Sequence, residues 1–209
     1  MRKLPWNLFL LATLPALYSV CGCSRTPPPP EGPLLDPANI AQAAIAQYDA
    51  DGDGKLDAEE LKQSPPLTEA METMDADLDG TLTAAEIEKR IKAWLDYGVV
   101  VMSQTTQVTL DDKPLDGATV TDEPEEFFGT AYPPASAVTD EAGCADVQGQ
   151  NTRYPGLYLG LYRVRISKQV GGRETVPARY NTQTELAKEV APGAASIEER
   201  RLEFNLESR

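Results

Sequence analysis

Histidine is absent from this chain. With it go imidazole general bases, Ser-His and Cys-His nucleophile pairs, and His-ligated zinc or haem. Cysteine is scarce: Cys21, Cys23 and Cys144 are the three present, without the paired spacing of a zinc site. Positive charge is also in short supply, with 19 Lys and Arg against 33 Asp and Glu, a net charge of −14. Such a chain repels phosphate backbones, which excludes nucleic acid as a partner. Carboxylate pairs could in principle hydrolyse glycosides, but no complete catalytic constellation is present. Glu123, Glu125 and Glu126 read more simply as a solvated loop. The expectation is a non-enzymatic protein. Its 209 residues, 41% of them hydrophobic, suit one or two small domains with modest cores.

What is abundant is aspartate, and it is unevenly placed. From Asp36 to Tyr97 fifteen acids stand against five bases, and from Gly98 to Arg209 seventeen stand against eleven. The densest stretch is DADGDGKLDAEE, Asp49 to Glu60, and DADLDGTLTAAE, Asp75 to Glu86, repeats its pattern. Both fit D-x-[DN]-x-[DN]-G with Glu at the twelfth position, the EF-hand calcium loop. Asp49, Asp51 and Asp53, then Asp75, Asp77 and Asp79, supply carboxylates at positions one, three and five. Gly54 and Gly80 stand at position six, where the chain turns sharply. Lys55 and Thr81 offer backbone carbonyls at position seven. Asp57 and Thr83 act at position nine through water, and Glu60 and Glu86 close each shell as bidentate ligands. Leu56 and Leu82 fall where paired EF hands resemble a short two-strand contact. The alternative for the loops is a pair of Asp-Gly surface turns.

The flanks carry helical patterns. Asp36-Pro37 is an N-cap followed by proline at the first helical position. Ile40, Ala44, Ile45 and Tyr48 recur at helical spacing, as do Leu67, Met71 and Met74, and then Ile87, Ile91, Trp94 and Leu95. Ser64-Pro65-Pro66 breaks the fourteen residues between the loops, so the inner helices must be short. Two divalent ions, calcium ahead of magnesium with its stricter octahedron, would cancel four charges of a net −10 module.

The N-terminus reads as an address. Arg2 and Lys3, an apolar run and a small-residue end are the parts of an export signal, against the alternative of a membrane-spanning anchor. VCGC, Val20 to Cys23, resembles the bacterial lipobox. That resemblance implies cleavage after Gly22, lipid (palmitate among it) on Cys23, and a cell-envelope location with the outer membrane ahead of the inner. SRTPPPPEGP, Ser24 to Pro33, follows as an extended linker or spacer.

Beyond Val99 the period becomes two. TQVTL, GATVTDEP, GLYRVRISK and RRLEFNLES read as strands separated by turns such as DDKPLDG and EAG. In the third of these Tyr162, Val164 and Ile166 face one way and Arg163, Arg165 and Ser167 the other. Leu202, Phe204 and Leu206 make the inner row of the last. Lys113-Pro114-Leu115 with Gly117, Thr139-Asp140 with Gly143, and Tyr180-Asn181 resemble the carboxypeptidase-regulatory-like, transthyretin-like domain. The resemblance implies an accessory or adhesive β-sandwich without catalytic residues. Cys144 reads as a small buried strand residue, with a redox or crosslinking site as the alternative. Phe127, Phe128, Tyr132, Tyr154 and Tyr158 read as packing, with a carbohydrate-stacking surface as the alternative.

The expected fold class is therefore α+β: a small helical EF-hand pair followed by an all-β Greek-key sandwich. The expected organisation is a signal peptide at 1–22, lipidated Cys23 and linker to 35, the EF-hand pair at 36–97 and the sandwich at 98–209. The expected role is a membrane-anchored, calcium-binding envelope protein holding two Ca2+ ions. The alternative is a glycan- or cell-wall-binding adhesin stiffened by calcium, with a polysaccharide or an envelope protein as partner.

Overall fold

The computed structural model describes residues 32–130, 132–149, 155–194 and 201–209. The segment read as an export signal, Cys23, the four successive prolines and Tyr154 lie outside them. Among the described residues no helix is long and apolar enough to cross a membrane.

Helix α1, Pro37–Tyr48, begins where Asp36 accepts from the Asn39 amide at 3.2 Å, and it buries Ile40, Ala41, Ala44, Ile45 and Tyr48. After β1 (Lys55–Leu56) and the four-residue α2 (Ala58–Leu61) comes α3, Pro65–Met74. Ser64-Pro65-Pro66 separates two short inner helices, as expected, and also starts the second of them. The Ser64 hydroxyl caps the Leu67 amide at 3.3 Å, and both prolines sit in the first turn, where a missing N–H costs nothing. Then β2 (Leu82–Thr83) leads into α4, Ala84–Asp96, whose inner stripe is Ile87, Ile91 and Trp94. Leu95, placed on that stripe from spacing, is 45% exposed.

The remaining described elements are strands and two short 3-10 turns, giving an α+β fold. One four-stranded sheet has the order β13 (Ala187–Val190), β10 (Gly160–Ser167), β6 (Thr119–Pro124), β7 (Ala135–Val138), antiparallel throughout. A second places β4 (Thr105–Leu110) between β14 (Arg201–Leu206) and β5 (Lys113–Pro114), with β8 (Cys144–Asp146) also on β4; two short pairs, β3 (Val101–Met102) with β9 (Leu157–Tyr158) and β11 (Gln169–Val170) with β12 (Arg173–Glu174), stand beside them. The pair β4 and β14 runs parallel, so the C-terminal strand returns alongside one of the first. Tyr162, Val164 and Ile166 are all buried, as are Val108, Phe204 and Leu206 of the second sheet, whereas Leu202 is half-buried. On β8 the alternation buries Ala145 and leaves Cys144 half-exposed, the reverse of the expectation for the thiol.

The other face of the first sheet is covered by the helices, with α3 lying on β13 and β10. One buried apolar cluster is continuous from Ile40 of α1 to Leu206 of β14. A short 3-10 turn, Glu126–Phe128, carries rings into this junction. Phe127 meets Tyr48 edge-on with centroids 6.5 Å apart, and Phe128 stacks on Trp94 at 6.2 Å and on Tyr132 at 5.0 Å. Glu125, read from sequence as part of a solvated loop, is 2% exposed. Its carboxylate accepts the Tyr48 hydroxyl at 2.5 Å and the Ser64 hydroxyl at 2.9 Å, with the Arg163 guanidinium at 3.3 Å. Glu189 of β13 accepts Arg90 Nε at 2.7 Å, Trp94 Nε1 at 2.9 Å and the Thr73 hydroxyl at 3.1 Å. Two buried carboxylates of the β half thus bind every long helix of the other half.

Two outcomes follow from this junction. Trp94→Ala removes a side chain with no exposed surface, and urea denaturation should register a loss of about 3–5 kcal/mol. Tyr48 is held protonated up to about 12 against an ordinary 10.0, first by burial and then by Glu125. The folded state therefore grips this proton more tightly than the unfolded chain does. The contribution is intact below pH 10 and is lost as pH rises through about 12. Stability measured across that window should fall less steeply in Tyr48→Phe than in the wild type.

Candidate metal centre

The two acidic loops have the same internal scaffold. At position one, Asp49 accepts the Gly54 amide and Asp75 accepts the Gly80 amide, each at 2.9 Å. At position five, Asp53 accepts the Lys55 amide and Asp79 the Thr81 amide, each at 2.8 Å. At position twelve, Glu60 accepts from the Ala50 and Asp57 amides at 2.7 and 3.0 Å, and Glu86 from those of Ala76 and Thr83 at 3.0 and 2.9 Å. The terminal glutamate therefore does two jobs. It folds back across its loop and it is the third helical residue of a capping box, with Asp57 capping α2 and Thr83 capping α4.

Backbone conformation explains the glycines. Gly54 and Gly80 have φ of +86° and +83°, a region that strains any side chain. Position four is also left-handed in both loops. Gly52 fills it in the first and Leu78 in the second, where the leucine is 83% exposed. The loops then pair through β1 and β2, with Leu56 opposite Leu82 and both side chains fully buried. Tyr48 and Met74, each the residue before its loop, are buried in the helical core. Both ends of each loop are thereby fixed by packing.

The donor set is hard oxygen alone, which suits calcium. Carboxylate oxygens of Asp49, Asp51 and Asp53 lie within 4.8 Å of one another, and so do those of Asp75, Asp77 and Glu86. The second group leaves out Asp79. Lys55 reaches across from the first loop and places its ammonium 3.1 Å from Asp79 Oδ2. Asp79 also accepts the Thr81 hydroxyl at 2.7 Å. The Thr81 hydroxyl and amide, and then Lys55, pull the Asp79 carboxyl down to about 2. For Glu86, burial pushes the carboxyl up, but hydrogen bonds from Thr83 and Ala76 outweigh it and leave it below its usual range. Asp57 and Thr83 have their side chains engaged as caps. The sequence identified Lys55 through its carbonyl; the tie its ammonium makes between the loops needed coordinates.

A second concave feature lies between the halves, a cleft of about 650 Å³ lined by Gln63, Glu123, Glu126, Tyr132, Arg163 and Arg165. Glu123 pairs with Arg165 at 2.9 Å on its wall. The aromatic side chains considered as a sugar-stacking surface do not present one. Phe127, Phe128 and Tyr132 are 8%, 7% and 5% exposed, and Tyr158 is half-buried.

Residues 41–63 match the EF hand family model, a span that covers the end of α1, the first loop and α2. No curated protein and no solved structure gives a match. An EF hand implies calcium binding, and the Asp-rich groups in these loops agree with that reading.

Proposed function

We propose that this chain is a non-enzymatic calcium-binding protein of the cell envelope, that it takes up two calcium ions, and that the ions serve the fold. The observation that supports this reading is the scaffold the two loops share at positions one, five and twelve, joined through Leu56 and Leu82. Asp49, Asp51, Asp53, the Lys55 carbonyl, Asp57 through water and Glu60 hold the first ion. Asp75, Asp77, Asp79, the Thr81 carbonyl, Thr83 through water and Glu86 hold the second. Each ion supplies two positive charges to a loop whose carboxylates otherwise repel one another.

A structural role follows from where the loops are attached. Tyr48 ends α1 beside Asp49 and donates to Glu125; Thr73 stands two residues before Asp75 and donates to Glu189. Fixing the loops fixes the donors that join the halves. The membrane tether is the lipid on Cys23, read from the VCGC sequence; several acyl chains together give stable anchoring.

Calorimetric titration of the EDTA-treated protein with calcium tests the reading. Two ions are expected per chain, one after Glu60→Gln and one after Glu86→Gln. Saturation should raise the melting temperature, each site adding about 2.7 kcal/mol when free calcium is a hundredfold above its dissociation constant. No uptake at millimolar calcium rejects the proposal. For the tether, Cys23→Ala should move the protein from the membrane pellet to the soluble fraction and abolish labelling by palmitate. Unchanged partitioning removes the lipid from the account.

A further inference from the structure

Inside the sandwich one ion pair stands apart from its surroundings. The side chains of Lys188 on β13 and Asp122 on β6 are 1% and 0% exposed, and Nζ lies 2.7 Å from Oδ2. The two strands flank β10, with Lys188 opposite Tyr162 and Asp122 opposite Val164, on the face turned away from the helices. They are two strand spacings apart, about 10 Å, and the four-carbon stem of the lysine spans that gap along β10. Neither oxygen of Asp122 makes an aligned hydrogen bond. The Tyr162 hydroxyl is committed to the Tyr158 carbonyl at 2.8 Å. Val120, Val164 and Ile166 complete an apolar surrounding.

As an ion pair this is a poor arrangement. Two charges removed from water regain their hydration energy only with good geometry and further hydrogen bonds, and the carboxylate has no further hydrogen bonds. It contrasts with Glu125 and Glu189, each of which binds three side chains. Burial also pushes the Asp122 carboxyl above its usual range in spite of the lysine beside it. Apolar surroundings of this kind disfavour a charged carboxylate.

We propose that Lys188 and Asp122 join covalently after folding, in an isopeptide bond between Nζ and Cγ. One proton passes from the ammonium to the carboxylate, leaving an amine and a carboxylic acid. The Nζ lone pair attacks Cγ, an N–H proton moves to the departing hydroxyl, and the C–O bond breaks. The products are a secondary amide and one water molecule; no oxidation or reduction occurs and no co-reactant is needed. Fixed juxtaposition supplies the drive, since oriented intramolecular pairs reach effective molarities of about 10⁵–10⁸ M. Burial away from solvent opposes the reverse hydrolysis. The bond replaces two buried charges by one neutral amide. It also ties β6 to β13 across β10, between positions 66 apart in sequence, a long closed loop of the kind that most restricts the unfolded chain.

Mass spectrometry of the purified, fully denatured protein tests this. The wild type should be lighter by one water molecule, and Lys188→Met should not. The mass difference between the two cancels any processing at the N-terminus. In a tryptic digest the wild type should resist cleavage after Lys188 and yield a branched peptide joining the segments that carry Asp122 and Lys188. A wild type of undiminished mass, cleaved normally after Lys188, overturns the proposal whether or not the variant folds.

Discussion

Everything in this molecule hangs on two glutamates that the β half buries against the helices. Glu125 and Glu189 sit on one face of the first sheet, and their oxygens accept from α1, from the cap of α3, from α3 itself and from α4. A buried carboxylate left without partners is strongly unfavourable, and removing one partner of such a group costs about 3–5 kcal/mol. Each donor lost while the helices stay docked leaves a buried carboxyl oxygen short of a partner. The ring sequence Tyr48, Phe127, Phe128, Trp94 fills the space between the two anchors. Apolar contact gives the junction its adhesion, and the carboxylates set its register.

That arrangement links the metal loops to the sandwich. Each loop is entered from a residue at the end of a docked helix, and each is closed by a glutamate that also starts the next helix. A loop that loses its shape loosens the helix ends on both sides. The acid excess of the helical half makes such loosening favourable whenever the carboxylates are uncompensated. Lys55 offers a partial internal remedy by bridging to Asp79, but one exposed ammonium between two loops is worth little in water. The shape of the loops therefore bears on the helix ends that dock on the sheet.

Much of this was legible in the sequence because local chemistry dictated it. The spacing of Asp, Gly and Glu located both loops and their Leu56–Leu82 contact, and the alternation in residues 162–167 assigned both faces of β10. What was not legible depended on contacts between distant residues. Glu125 reads as solvated because its neighbours Glu123 and Glu126 are acidic; only the approach of Tyr48, Ser64 and Arg163 makes it a core residue. Ser64-Pro65-Pro66 reads as a break and is one, but its second role as the start of α3 was not legible, since the serine that caps α3 is also engaged by Glu125. The parallel pairing of β14 with β4 leaves no mark on periodicity, which is the same for either direction.

The three buried acids of the β half show how environment divides one chemistry into two roles. Glu125 and Glu189 are well supplied with donors, through the arginine, serine, threonine, tyrosine and tryptophan side chains clustered around them. Asp122 meets one cation and no other donor. For a carboxylate in that position the ionised state has nothing to offset its lost hydration except a single charge at contact distance. The same sheet thus holds its helices by carboxyl groups rich in donors. On its other face it holds a carboxyl group with one cation beside it, which burial pushes above its usual range.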